Sequence, residues 1–186
     1  MGRAAKLKTA RREKGETEIK LDLGCGPNVK AGFTGVDSMD FGQKVRADLR
    51  KAWPWKDGTV DEAHASHFIE HLTGPERIHF ANELYRVLKP GGKCQIITPH
   101  WASCRAYGDL THQWPPVSEF WFYYLKKDWR ATNAPHNTEY VCDFEATWGY
   151  SMHPTLVSRN QEFQTNALTF YKEAAQDMIA TLTKTP

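Results

Sequence analysis

The stretch LDLGCGPN, residues 21–28, decides how this chain is expected to fold. The apolar alternation of TEIKLDL (17–23) runs straight into a glycine turn, and a glycine turn carries meaning only when a strand precedes it. Gly24 and Gly26 present no side chain, so the backbone there is able to approach a ligand closely. Asp22 ends the strand beneath them. FTGVD (33–37) then reads as a short second strand closed by Asp37, a position from which a carboxylate accepts two ribose hydroxyls. Asp37 follows Gly24 by only thirteen residues, where about twenty is usual in dinucleotide folds. The intervening helix is therefore expected to shrink to about a turn, in a loop that Pro27 and Gly32 suit.

Working outward, TVDEAHAS (59–66) is expected to be a further strand. A helix begins at Thr73, which forms a capping box with Glu76 and has Pro75 in its first turn. Ile78, Ala81, Leu84, Val87 and Leu88 recur at helical spacing, and KPGG (89–92) stops the helix. KCQIITP (93–99) follows as a buried strand. Strands separated by helices mean an α/β protein with a mostly parallel sheet. Residues 101–158 change character: Trp101 to Tyr150 holds 13 of the 23 aromatic residues, so this segment must fold back onto something. It is expected to cover the substrate side and to give an apolar acceptor pocket with a few polar anchors. EYVCDFEA (139–146) is one plausible strand without a convincing partner, so the far sheet edge is expected to be truncated. In 160–183, Phe163, Ala167, Phe170, Tyr171, Ala174, Met178 and Leu182 form one apolar stripe, read as a terminal amphipathic helix.

Composition narrows the function classes. At 186 residues with 40% apolar and 25% charged, the chain suits one globular domain over 18–186 behind a tail. No apolar run approaches the ~20 residues that cross a bilayer, so no membrane role is expected. Cys25, Cys94, Cys104 and Cys142 lack C-x-x-C spacing, which suits a reducing, cytoplasmic setting rather than a disulfide or cysteine–zinc framework. The net charge of +2 is uneven: residues 1–17 carry six basic and two acidic residues, leaving the body slightly acidic. No nucleic-acid partner is expected for such a body.

The segments ADLRKAWPWKDGTVDEAHASHFIEHL and ELYRVLKPGGKCQIITP, added to LDLGCGPN, resemble the core of class I S-adenosylmethionine-dependent methyltransferases over residues 18–100. The resemblance implies a Rossmann-like sheet, S-adenosylmethionine as cofactor, and a methyl acceptor that is a small molecule. It implies a cofactor site built from Asp22, Gly24, Cys25, Gly26, Asp37, Asp48, Leu49, Ser66 and His67. Asp48 would meet the exocyclic amine of adenine, Leu49 the face of its ring, and Ser66 with His67 the reaction centre. Asn28 stands where the family's turn usually has a third glycine, a substitution that Asn tolerates better than most residues. GDLTHQW (108–114) resembles a stretch that folds over the pocket in some relatives, which makes His112 a substrate-facing candidate. His67 and His112 are the two candidate bases, since an unperturbed imidazole titrates near neutrality. The chain is expected as a monomer or homodimer.

HFIEHL (67–72) supplies a competing reading. His67, Glu70 and His71 make the H-x-x-E-H pattern of a zinc peptidase class. The pattern falls where the fourth strand gives way to a turn, not within a helix able to present both imidazoles. Glu83 and Glu145 are conceivable third ligands, neither announced by spacing. No metal is therefore expected. Three function classes stay open: methyl transfer, zinc-dependent hydrolysis, and a cofactor fold that binds without catalysis.

Overall fold

The computed structural model describes residues 18–186, so the basic tail of 1–17 lies outside the described residues. Seven strands form one sheet: β1 (Lys20–Leu23), β2 (Thr34–Asp37), β3 (Val45–Arg46), β4 (Val60–Ser66), β5 (Leu88–Pro99), β6 (Phe144–Met152) and β7 (Ala175–Lys184). Their order is β3-β2-β1-β4-β5-β7-β6. The first five pair in parallel, while β7 runs antiparallel to both β5 and β6. The direction of crossing reverses between β1 and β4, and ligands in open α/β sheets bind beyond the strand ends at such a switch point.

Helix α1 (Gly74–Val87) begins as expected, with the Thr73–Glu76 capping box and Pro75 in the first turn. It buries Phe80, Ala81, Leu84 and Val87 in the same core as Leu21, Leu23 and Ile96 of the sheet. Each large side chain buried there contributes about 1.5–3 kcal/mol, and truncating Leu84 to Ala would cost about 2–5 kcal/mol. No helix separates β1 from β2, in line with their short spacing. Three short helices follow β5: α2 (Arg105–Gly108), α3 (Glu119–Tyr124) and α4 (Lys127–Asn133).

Two expectations about the C-terminal third are corrected. The helix expected over 160–183 is only α5 (Gln161–Phe170), begun by the Asn160 side chain accepting from Phe163 N. Beyond Glu173, which adopts a left-handed backbone at φ 61°, the chain becomes β7. Ala174, Met178 and Leu182 are spaced by four, a spacing that satisfies a helical stripe and one face of a strand equally. Ile179, Thr181 and Thr183 between them favour the strand. The far edge is also complete rather than truncated. Strand β6 starts near the end of the EYVCDFEA segment and pairs with β7 along its whole length, so residues 144–152 belong to the sheet and not to the cover.

The aromatic run of α3 packs mainly on β6. Phe122 stacks on Trp148 with centroids 5.6 Å apart, and Tyr123 meets the same indole edge-on. Glu119 of α3 joins three elements. Its carboxylate accepts from His100 Nε2 at 3.0 Å, Trp101 Nε1 at 3.1 Å and the Tyr150 hydroxyl at 3.0 Å. Burial pushes that carboxyl up, but the bonds from His100 and Tyr150 outweigh it and hold it at about 2.

Candidate active site

The turn after β1 is held by Asp22. Register places Asp22 opposite His64 of β4, and Asp22 Oδ1 lies 2.7 Å from His64 Nδ1 with both residues buried. Its other oxygen accepts from Lys30 N at 2.7 Å, closing the loop between β1 and β2. Each oxygen of Asp22 thus has a scaffold partner, and at 3% exposure the carboxylate is closed off from a ligand. Asp37 does similar work one strand away, accepting from Gly26 N and Met39 N at 3.0 Å each. A carboxylate has about four acceptor positions, so Asp37 keeps two for a ligand.

Gly24, Asp37, Asp48 and Leu49 line one hollow of about 190 Å³, together with Ser38, Arg50, Phe68 and His71. Asp37 and the consecutive pair Asp48 and Leu49, eleven residues further on, therefore share one depression at the switch point. Asp48 is presently covered by Arg50, whose Nε and Nη2 donate to it at 2.8 and 3.2 Å and hold its carboxyl below the usual range. Gly24 has a left-handed backbone at φ 67°, and a Cβ there would lie 2.1 Å from Phe68 Cδ2. Its missing side chain is thus already filled by the Phe68 ring. Cys25, Gly26 and Ser66 stand beside this hollow without lining it; the Cys25 thiol donates to Gly26 O at 3.3 Å.

A second hollow, of about 440 Å³, opens next to the first and shares His71 with it. His67, Glu70, Arg105, Asp109 and His112 line it, so both candidate bases face one space. Its wall is polar, unlike the apolar acceptor pocket expected from the aromatic segment. His67 sits in the turn after β4 with φ 52°, its Nδ1 3.2 Å from Glu70 Oε1, and the Glu70 carboxylate raises its pKa. A single 3-10 turn at Ile69–His71 follows, so His67 and His71 do not share a helix face as a zinc peptidase pattern requires. His112 is brought in by main-chain bonds: Gln113 N donates to Glu70 O at 2.8 Å. Arg77, buried under the loop, donates to Ile69 O, Gln113 O and Pro115 O at 3.0, 3.1 and 2.6 Å.

Residues 26–96 match the family model described as a methyltransferase domain. Over that span the chain is similar to methyltransferase domains. In fold, the chain is similar to a SAM-dependent methyltransferase from Archaeoglobus fulgidus, at 18% identity and a TM-score of 0.66, over 90% of this chain and 86% of that one. It is also similar to geranyl diphosphate C-methyltransferase from Streptomyces coelicolor A3(2), solved with Mg2+, geranyl diphosphate and S-adenosyl-L-homocysteine. That likeness has 17% identity and a TM-score of 0.55, over 90% of this chain and 71% of the other. In sequence, 118 residues are 28% identical to an uncharacterized 37.1 kDa protein in transposon TN4556 of Streptomyces fradiae. The match takes in 50% of this chain but 34% of the relative, so the chain aligns with about a third of that protein's length.

Sequence reasoning missed Arg50, Phe68 and His71 as lining residues. His71 and Glu70 were in view only as a peptidase pattern, and no spacing in the sequence links Phe68 to Gly24.

Proposed function

We propose that the protein transfers a methyl group from S-adenosylmethionine to a small polar acceptor. One observation carries this reading: a hollow holding Asp37, Asp48 and Leu49 adjoins a hollow lined by three histidines, with His71 on the wall of both. The two free acceptor positions of Asp37 suit ribose hydroxyls. Asp48 suits the exocyclic amine once Arg50 swings aside, and Leu49 suits the adenine face. The first hollow is smaller than the roughly 300 Å³ at which ligand pockets begin, so cofactor entry is proposed to displace Arg50 and shift the Phe68 ring.

In the reaction, the acceptor's nucleophilic atom attacks the methyl carbon in line with sulfur. The new bond forms as the carbon–sulfur bond breaks, and its electron pair returns the sulfonium to a neutral thioether. Because the sulfonium is already a good leaving group, the protein's main contribution is alignment and exclusion of water. An acceptor hydroxyl must also lose a proton. His67, with a half-exposed ring on the wall of the second hollow, is the group proposed to take it.

Calorimetry with S-adenosylhomocysteine on the full chain tests the first hollow. Saturable binding that weakens at least tenfold in Asp37→Ala is expected, and no binding to the parent chain would refute the reading. Transfer of labelled methyl from S-adenosylmethionine to pools of hydroxylated small molecules then separates an enzyme from a non-catalytic binder.

A further inference from the structure

Glu70, His71 and His112 each offer a ligand atom, and these three atoms lie within 4.8 Å of one another on the wall of the second hollow. We propose that they form a binding site for one divalent transition-metal ion. The set differs from the H-x-x-E-H pattern: His67 is left out, and the third ligand comes from the loop after β5.

The hydrogen bonds around the cluster select ligand-ready tautomers. The Thr111 hydroxyl has one proton, which it donates to Asp109 Oδ1 at 2.7 Å. The 2.9 Å contact between Thr111 Oγ1 and His71 Nδ1 therefore has the imidazole as donor, and the Nε2 lone pair of His71 stays free. His112 Nδ1 faces the carbonyl oxygen of Ala106 at 3.2 Å, and a carbonyl only accepts. His112 Nε2 likewise keeps its lone pair. Metal-bound histidines are oriented in this way, by an acceptor on the nitrogen that does not ligate.

Glu70 provides an independent observation. It is 4% exposed, and Oε2 accepts from Thr98 Oγ1 at 3.2 Å. Oε1 is buried without a hydrogen bond among the described residues and lies 3.2 Å from His67 Nδ1 in an ion-pair contact. A buried carboxylate oxygen left without a hydrogen bond costs free energy unless a cation or donor completes it. Arg105, on the wall of the same hollow, is committed to Asp177 at 2.7 Å.

Two imidazoles and one carboxylate suit zinc, manganese, cobalt or iron in the divalent state better than magnesium or calcium, which prefer oxygen. Ligand bonds of about 2.0–2.2 Å place tetrahedral ligand atoms about 3.4 Å apart, so the side chains must close by roughly 1.4 Å. Three protein ligands leave coordination positions open towards the second hollow, as in catalytic rather than structural sites. An acceptor bearing adjacent oxygens would fill them. This last role rests on the methyl-transfer reading, whereas metal binding itself does not.

The test uses the full chain stripped with chelator and titrated with Co2+, followed by visible absorption and by metal analysis of the Zn2+-loaded protein. One ion per chain is expected. His112→Ala and Glu70→Gln should each weaken binding at least tenfold, and Thr111→Val, which removes the oxygen facing His71 Nδ1 and the proton given to Asp109, about tenfold or more. His136→Ala, at an exposed site, should bind as the parent does. Absence of saturable binding, or equal affinity in the parent, His112→Ala and Thr111→Val, overturns the proposal. S-adenosylhomocysteine calorimetry on the same samples keeps the two readings apart. Metal binding without it defeats only the methyl-transfer reading, and cofactor binding without metal defeats only the metal site.

Discussion

Gly24→Ala should damage the protein through a neighbour that is not near it in sequence. The residue sits at φ 67°, and placing an L side chain in left-handed backbone costs about 1–2 kcal/mol. The added Cβ would also meet Phe68 Cδ2 at 2.1 Å and Cγ at 2.4 Å, distances that force the ring or the turn to move. Overpacking of this kind costs about 1–3 kcal/mol, giving a total near 2–5 kcal/mol. Phe68→Ala removes the two ring contacts and leaves its own Cβ, 2.9 Å from the added one, together with the backbone term. In the Phe68→Ala background, Gly24→Ala should therefore cost less, approaching the backbone term of about 1–2 kcal/mol. Urea denaturation of the parent, both single variants and the double variant measures the coupling as a difference of extrapolated stabilities. A coupling of about 1–3 kcal/mol towards rescue is expected. Additivity within about 0.5 kcal/mol would refute the claim that the ring occupies the glycine's open face.

Further outcomes follow from the same geometry. Asp22→Ala leaves His64 buried without its partner and Lys30 N without its acceptor, so denaturant unfolding should reveal a loss of about 2–5 kcal/mol, at about 1–3 kcal/mol for each group left unpaired. Glu119 has a depressed pKa in the folded state, so its stabilising contribution is present above pH 4.5 and is lost as pH falls towards about 2. The stability gap between the parent and Glu119→Gln, followed by denaturation from pH 6 to pH 2, should accordingly narrow on the acid side. His67→Gln should lower methyl-transfer turnover by about 10²–10⁴-fold while S-adenosylhomocysteine affinity holds, and unchanged turnover would exclude His67 as the base.

The cofactor half was legible because its information is local. LDLGCGPN couples a strand to a turn, Thr73 to Glu76 marks a helix start, and Asp37 and Asp48 are single residues at strand ends. The C-terminal third was less legible because its decisive pairings are distant. The alternation of Met178, Ala180 and Leu182 has meaning only beside β5 and β6, and the interval of four fits two periodicities. His112 lies 41 residues beyond His71 in the chain, and no spacing rule links them. Their meeting depends on the Gln113–Glu70 main-chain bond, which sequence does not announce. Asp22 shows the opposite limit: its position was clear, but its two partners place it in the scaffold rather than on the wall of either hollow.

Among the described residues, Arg77 grips its neighbours only by main-chain oxygens, those of Ile69, Glu70, Gln113 and Pro115. Such a clasp is blind to side-chain identity along the strap it fastens. The path of residues 113–115 can therefore persist while the groups they present vary, leaving this rim free to diversify its chemical preference without dismantling the floor beneath.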